Sequence, residues 1–200
     1  MWSPRLACAL AALLVIAFLG LSSAEAAIVQ KMNLEALCDS AGSILRARVE
    51  RVEQVSVRLH GQEIPALAYT LEIRDGLKGV ADDQLTMTLT MLDPSRLPHV
   101  KTAAGVQHVS VLPDLPHLEL GAEYLLITTR PGPGGLATTV GLAQGLFRIL
   151  PGPGGLEQVR NGIDNIGLLD GMAVPKSIRS NALTYGQITT LIRHSLGESR

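Results

Sequence analysis

The stretch QLTMTLTML, residues 84–92, decides the fold class. Leu85, Met87, Leu89 and Met91 alternate with Thr86, Thr88 and Thr90, so a strand here points its large apolar side chains one way and its threonines the other. The same period of two runs upstream. Residues 64–77 read as a strand with Tyr69, Leu71 and Ile73 on one face, preceded by a hairpin turn at His60, Gly61 and Gln62. Ahead of that turn, Ile44 to Val57 alternates as one long strand whose pattern slips near Glu53, the mark of a bulge.

Further out the pattern changes. NLEALCDSAG (33–42) reads as a short helix, with Asn33 as N-cap, Leu34, Leu37, Cys38 and Ala41 at helical spacing, and Gly42 as a left-handed stop. Residues 93–108 carry two prolines and read as an irregular excursion before the short run VSVL (109–112). From Leu120 the chain reads as a β-meander, GAEYLLITTR, LATTVGLAQGLFRIL and LEQVRNG, joined by two copies of PGPGG at 131–135 and 151–155 that serve as hairpin tips. After an irregular stretch at 161–182, Thr184 and Gln187 form a capping box for a C-terminal helix over 184–196. Its apolar face is Ile188, Leu191, Ile192 and Ser195, and it is expected to plug one end of the sheet.

The first residues follow the order of a secretory signal peptide: Arg5, an apolar run from Leu6 to Leu21, then small residues with an A-x-A pair at Ala24 and Ala26. Cleavage is expected after Ala26, leaving one domain over 27–200 with no membrane anchor, since the apolar run is shorter than the ~20 residues of a spanning helix. Cys8 is not a lipidation site, because it precedes the apolar run and Arg5 stands where an aliphatic residue is needed. Cys38 is then the only cysteine, so the exported domain has no internal disulfide and is held by packing. With 17 Lys and Arg against 18 Asp and Glu, no charge field draws nucleic acid or anionic lipid.

Candidate chemistry is sparse. His99, His108 and His117 recur nine residues apart, which raises a three-histidine metal site, with Asp114 and Glu119 as neighbouring carboxylates. Their settings, LPHV and LPHL, are loop-like, and no HExxH accompanies them, so they are read as solvent-facing loop histidines and no metal or cofactor is expected. Cys38 lies on the apolar side of its helix and is expected to be a buried, inert thiol, not a nucleophile. The PGPGG loops lack the Lys-Ser or Lys-Thr and following helix of a phosphate cradle, and Asp82 and Asp83 sit at a turn. Tyr69, Tyr124, Phe147 and Tyr185 are expected in the core and not as a stacking platform for single strands.

LCDSAGSILRARV (37–49), YTLEIRDGLKG (69–79) and LGAEYLLI (120–127) resemble, in sequence and in order, elements of the netrin-like domain shared by tissue inhibitors of metalloproteinases. GLAQGLFRI (141–149) is similar to a glycine, glutamine and aromatic motif of uncharacterised exported bacterial proteins with the same plan. The resemblance covers about residues 33–150 and implies an OB-like barrel. In the inhibitors, a disulfide-bonded N-terminal cysteine chelates the protease zinc; the start expected here, Ala27-Ile28-Val29, has no matching residue.

The sequence is therefore expected to encode an all-β, OB-like barrel with a short N-terminal and a C-terminal helix. It would act in the periplasm or outside the cell as a non-catalytic module that binds a protein or another envelope component. The alternatives are an inhibitor of an extracytoplasmic protease and a metal-dependent hydrolase using His99, His108 and His117. Intact mass of the protein from an envelope fraction should match a chain starting at Ala27; a mass that retains residues 1–26, or acyl groups on Cys8, contradicts the processing expected here.

Overall fold

A computed structural model describes residues 30–96, 100–102, 105–107, 115–175, 177–178 and 180–197. The expected signal peptide of 1–26, the VSVL run, His99, His108 and Asp114 fall outside the described residues. In chain order come α1 (Leu34–Ser40), β1 (Ser43–Leu59), β2 (Gln62–Lys78), β3 (Thr86–Leu92), β4 (Val100–Thr102), β5 (Gly105–Gln107), β6 (Glu123–Thr128), β7 (Leu146–Pro151), β8 (Glu157–Asn161) and α2 (Tyr185–Ser195). Six strands form one antiparallel sheet in the order β3-β2-β1-β6-β7-β8, and β4 and β5 pair as a separate small hairpin. The fold is thus all-β with two short helices. No described helix is long and apolar enough to cross a membrane.

Local chemistry explains most of these boundaries. The Asn33 side chain accepts from the Ala36 amide to start α1, and the Thr184–Gln187 capping box starts α2 as the spacing requires. His60 and Gly61 both take positive φ, 48° and 79°, which gives the twist of a two-residue hairpin. The turn is therefore one residue shorter than expected, and Gln62 already pairs with Leu59.

Other expectations are corrected. The slip in β1 falls at Glu50, three residues before Glu53: the register jumps between Val49 and Arg51, so that Val49 faces Leu71 and Val52 faces Tyr69, on the same side. Gly42 does not stop α1 in the left-handed region; the helix ends through an extended Ala41. Gly42 is needed instead because a Cβ there would lie 2.5 Å from the Arg130 backbone nitrogen. Leu85 is 74% exposed rather than inward, since the ladder with β2 begins only at Thr86 and the core beneath it ends at Leu71 and Leu89. The 93–108 excursion contains the β4–β5 hairpin.

The expected barrel is an open sheet. Its edge strands β3 and β8 do not pair with each other, because the chain after β6 bends at the 3-10 turn of Leu142–Gly145 and enters the sheet as β7 only at Leu146. Before that bend, residues 136–140 make isolated bridges only: Leu136 with Thr90 of β3, parallel, and Thr139 with Thr128 of β6, antiparallel.

The sheet separates two cores. Ile44, Leu125, Ile127, Phe147 and Val159 face the helices and pack with Leu34, Leu37, Ile188 and Ile192. Leu45, Ala47, Val49, Tyr69, Leu71, Leu89, Tyr124 and Leu126 fill the opposite, concave side. Each fully buried Leu or Ile contributes on the order of 1.5–3 kcal/mol. α2 therefore covers a face of the sheet and does not plug its end, and the Val159 amide donates to Leu183 O so that the 183–184 segment shields the β8 edge.

Arg46 ties this layer together. On β1 its Nε donates to Glu123 of β6 at 2.6 Å, its two terminal nitrogens donate to the Glu157 carboxylate of β8 at 2.7 Å each, and its guanidinium lies 4.6 Å from the Tyr185 ring centre. Tyr185 in turn donates to Asp75 at 2.8 Å, and burial together with that bond pushes its phenol up. Hydrogen bonding to Arg46 holds the Glu157 carboxyl below the usual range, so its contribution to stability is full above the unfolded value and is lost as pH falls through the folded one. Glu157→Gln should lower the melting temperature at neutral pH and low salt, with the gap to wild type closing below about pH 4. A gap that stays constant through acid pH contradicts this assignment.

Candidate functional site

Because residues 136–140 touch β3 and β6 only through isolated bridges, the sheet surface there is not sealed. Ala137 donates to Thr90 O at 2.8 Å and Thr129 donates to Thr138 O at 2.8 Å, which hangs the strip between the two strands. Over it lies a groove of about 350 Å³. Met91 and Leu92 of β3, Leu115, Pro116, Leu136, Ala137 and Leu142 give it an apolar lining, and Thr129, Arg130 and Thr138 are its polar members. The volume and the ratio of apolar to polar lining fit a small-ligand pocket.

The first PGPGG shapes one wall. Both copies adopt the same turn: Gly132 donates to Leu136 O and Gly152 to Leu156 O, each at 2.7 Å, and Gly134, Gly135, Gly154 and Gly155 all take φ between 68° and 76°. Their expected role as tips holds for both: 151–155 joins β7 to β8, and 131–135 turns the chain from β6 into the strip that runs back antiparallel to it, with Thr139 opposite Thr128. The first copy is also packed: a Cβ on Gly134 would lie 3.1 Å from Leu59 Cδ2 and 3.6 Å from Val57 Cβ, at the far end of β1.

A second polar construction fixes the start of the described chain. Gln144 is 4% exposed, accepts from the Met32 amide at 2.8 Å and donates through Nε2 to Gln30 O at 3.0 Å, so one side-chain amide pairs with the backbone as a strand would. Leu34 donates to Leu168 O, and Lys31 pairs with Asp170 at 3.1 Å. Asn161 and Asn165 complete the arrangement: Asn161 Nδ2 donates to Gln144 O at 3.0 Å, and Asn165 Nδ2 to Val159 O at 2.9 Å.

The sequence candidates lie elsewhere. His117 is exposed with Nδ1 3.3 Å from the Tyr69 hydroxyl, and its ring meets Tyr69 edge-on at 6.4 Å. Glu119 does not orient it, being held in a bidentate pair with Arg148 at 2.8 and 2.9 Å. His99 and His108 fall outside the described residues, among which no three His, Cys, Asp or Glu side chains gather to hold a metal. Cys38 is fully buried, and desolvation pushes its thiol up to about 12 despite Lys78, whose Nζ donates to Cys38 O at 2.8 Å. Asp82 and Asp83 are exposed at a turn. Tyr69, Tyr124 and Phe147 are buried, with burial raising both phenols, and Tyr185 is half-buried beside Arg46.

No protein-family model and no curated protein matches the chain. The site therefore rests on its own residues, and two polar residues, Arg130 in the groove and Gln144 outside it, had only faint signals. Arg130 is a charge at the entrance to a turn, and Gln144 is the one amide in the apolar run GLAQGLF. Gln144→Ala should release the 30–32 segment, lowering stability by roughly 1–3 kcal/mol through the unpaired Met32 amide. Hydrogen exchange at Met32 and tryptic cutting after Lys31 should both accelerate; unchanged exchange and cutting would show that the clasp holds nothing.

Proposed function

We propose that the chain is an exported, non-catalytic binding module on an OB-type, netrin-like path, and that the groove beside Leu136 is where it takes its ligand. Support for the path comes from a ring of neighbours. β1 adjoins β2 and β6, β2 adjoins β3, and the 136–140 strip touches β3 and β6 through its two bridges, an order of neighbours that supports the reading of a partly open five-stranded path. The resemblance of residues 37–49, 69–79 and 120–127 to the netrin-like domain points the same way. The partner class that fits an exported module of this kind is a protein or another envelope component.

The observation that carries the reading is the groove itself: an apolar hollow with a few convergent polar groups, at the seam where regular pairing gives out. A neutral polarity-sensitive dye such as Nile red should bind the purified protein saturably, one per chain. Ala137→Trp, which fills the hollow while keeping the amide that bonds Thr90 O, should abolish binding with an unchanged melting temperature, and Leu142→Trp should do the same from the other wall. Absence of saturable binding, or binding untouched by both variants, rules the groove out.

A further inference from the structure

We infer that the groove binds a single-chain aliphatic carboxylate, with the carboxylate at Arg130 and the hydrocarbon along Leu92, Leu136 and Ala137. The inference rests on the groove being the binding site and adds the chemistry of what enters it.

Arg130 supplies the first argument. Every other described arginine, from Arg46 to Arg193, makes an ion pair with a carboxylate, most of them on the open surface. Arg130 is exposed, lines the groove, and makes none among the described residues. A guanidinium beside an apolar wall is suited to a planar anion that it can grip with two parallel N–H bonds. The acidic residue next in sequence to the lining, Asp93, is buried: its Oδ1 accepts from the Ser95 amide and hydroxyl at 3.0 and 2.6 Å, while Oδ2 makes no hydrogen bond among the described residues and lies 4.0 Å from Arg96 Nε.

The hydroxyl of Thr138 is not part of that grip: its Oγ1 is covered by the protein and makes no hydrogen bond among the described residues.

The rest of the lining says what the remainder of the ligand is. No aromatic ring offers a stacking surface for a base, and the polar groups are too few for a sugar, so beyond its head the ligand must be apolar. A volume of about 350 Å³ is at the lower end for small-molecule pockets, which fits one aliphatic chain and not a two-chain membrane lipid.

Calorimetric titration of the purified protein with decanoate, decanol and decyltrimethylammonium, each below its micelle concentration, tests this, with displacement of Nile red as a second readout. Decanoate should bind one per chain and at least tenfold tighter than either analogue. Arg130→Gln should weaken decanoate roughly tenfold to a hundredfold, the range of a charge-assisted bond, while leaving decanol unchanged. Arg130→Lys should fall between. Equal affinity for decanoate and decanol, or decanoate binding indifferent to both Arg130 variants, overturns the inference while the groove survives as a site for neutral apolar ligands. No saturable dye binding together with no heat of binding for any of the three overturns the groove itself. Binding to vesicles of anionic lipid without binding to free decanoate also overturns the inference, in favour of a membrane surface.

Discussion

β6 has no solvent side. Five of its six residues, Tyr124 to Thr128, are buried, with Tyr124 and Leu126 in the concave core and Leu125 and Ile127 in the core beneath the helices. A strand buried on both faces fixes register twice, because a slip by one residue would exchange its two sets of side chains between cores of different shape. β1 is held on one side by this strand and on the other by β2, so the long hairpin, the helices and the groove all take their positions from it. Arg46, one residue from that alternation, is the polar counterpart: it reaches β6, β8 and α2 from a single position.

Where the backbone leaves the sheet, side-chain amides stand in for strands. Gln144 completes the backbone of residues 30 and 32, Asn165 receives the Asn161 amide, and Asn33 starts α1. Buried peptide groups must be paired, and an irregular stretch can do so only by borrowing donors and acceptors from side chains of fixed geometry. The turns of 162–171 are therefore as determined as the strands, although they carry little apolar pattern.

Features that depend on neighbours in sequence could be read from the chain. The two helix N-caps, the strand alternation of residues 86–92 and the burial of Cys38 follow from side chains a few positions apart. What could not be read depends on distant partners: Gln144 meets residues more than a hundred positions away, and the Glu50 bulge is placed by Leu71, Tyr69 and the Gly121–Ala122 backbone that engages Val49. Leu85 shows the limit of periodicity, since alternation tells which way a side chain points but not where the opposing core ends. Of the groove, the apolar strand wall was legible. Arg130 was not, because its significance lies in an ion pair it does not make among the described residues.

The two PGPGG turns share sequence and conformation and differ only in what surrounds them. A Cβ at Gly134 would crowd Leu59 at 3.1 Å, whereas at Gly154 and Gly155 it would meet nothing within 4 Å. The second turn is thus the molecule's natural splice point. A peptide or reporter inserted between Gly154 and Gly155 would cost loop-closure entropy alone, about 0.6 kcal/mol per doubling of length. The same cassette at the first turn would also have to clear Leu59 at the end of β1. Identical pentapeptides in one chain so provide an internal control, in which the effect of a graft measures the packing around a turn rather than the turn itself.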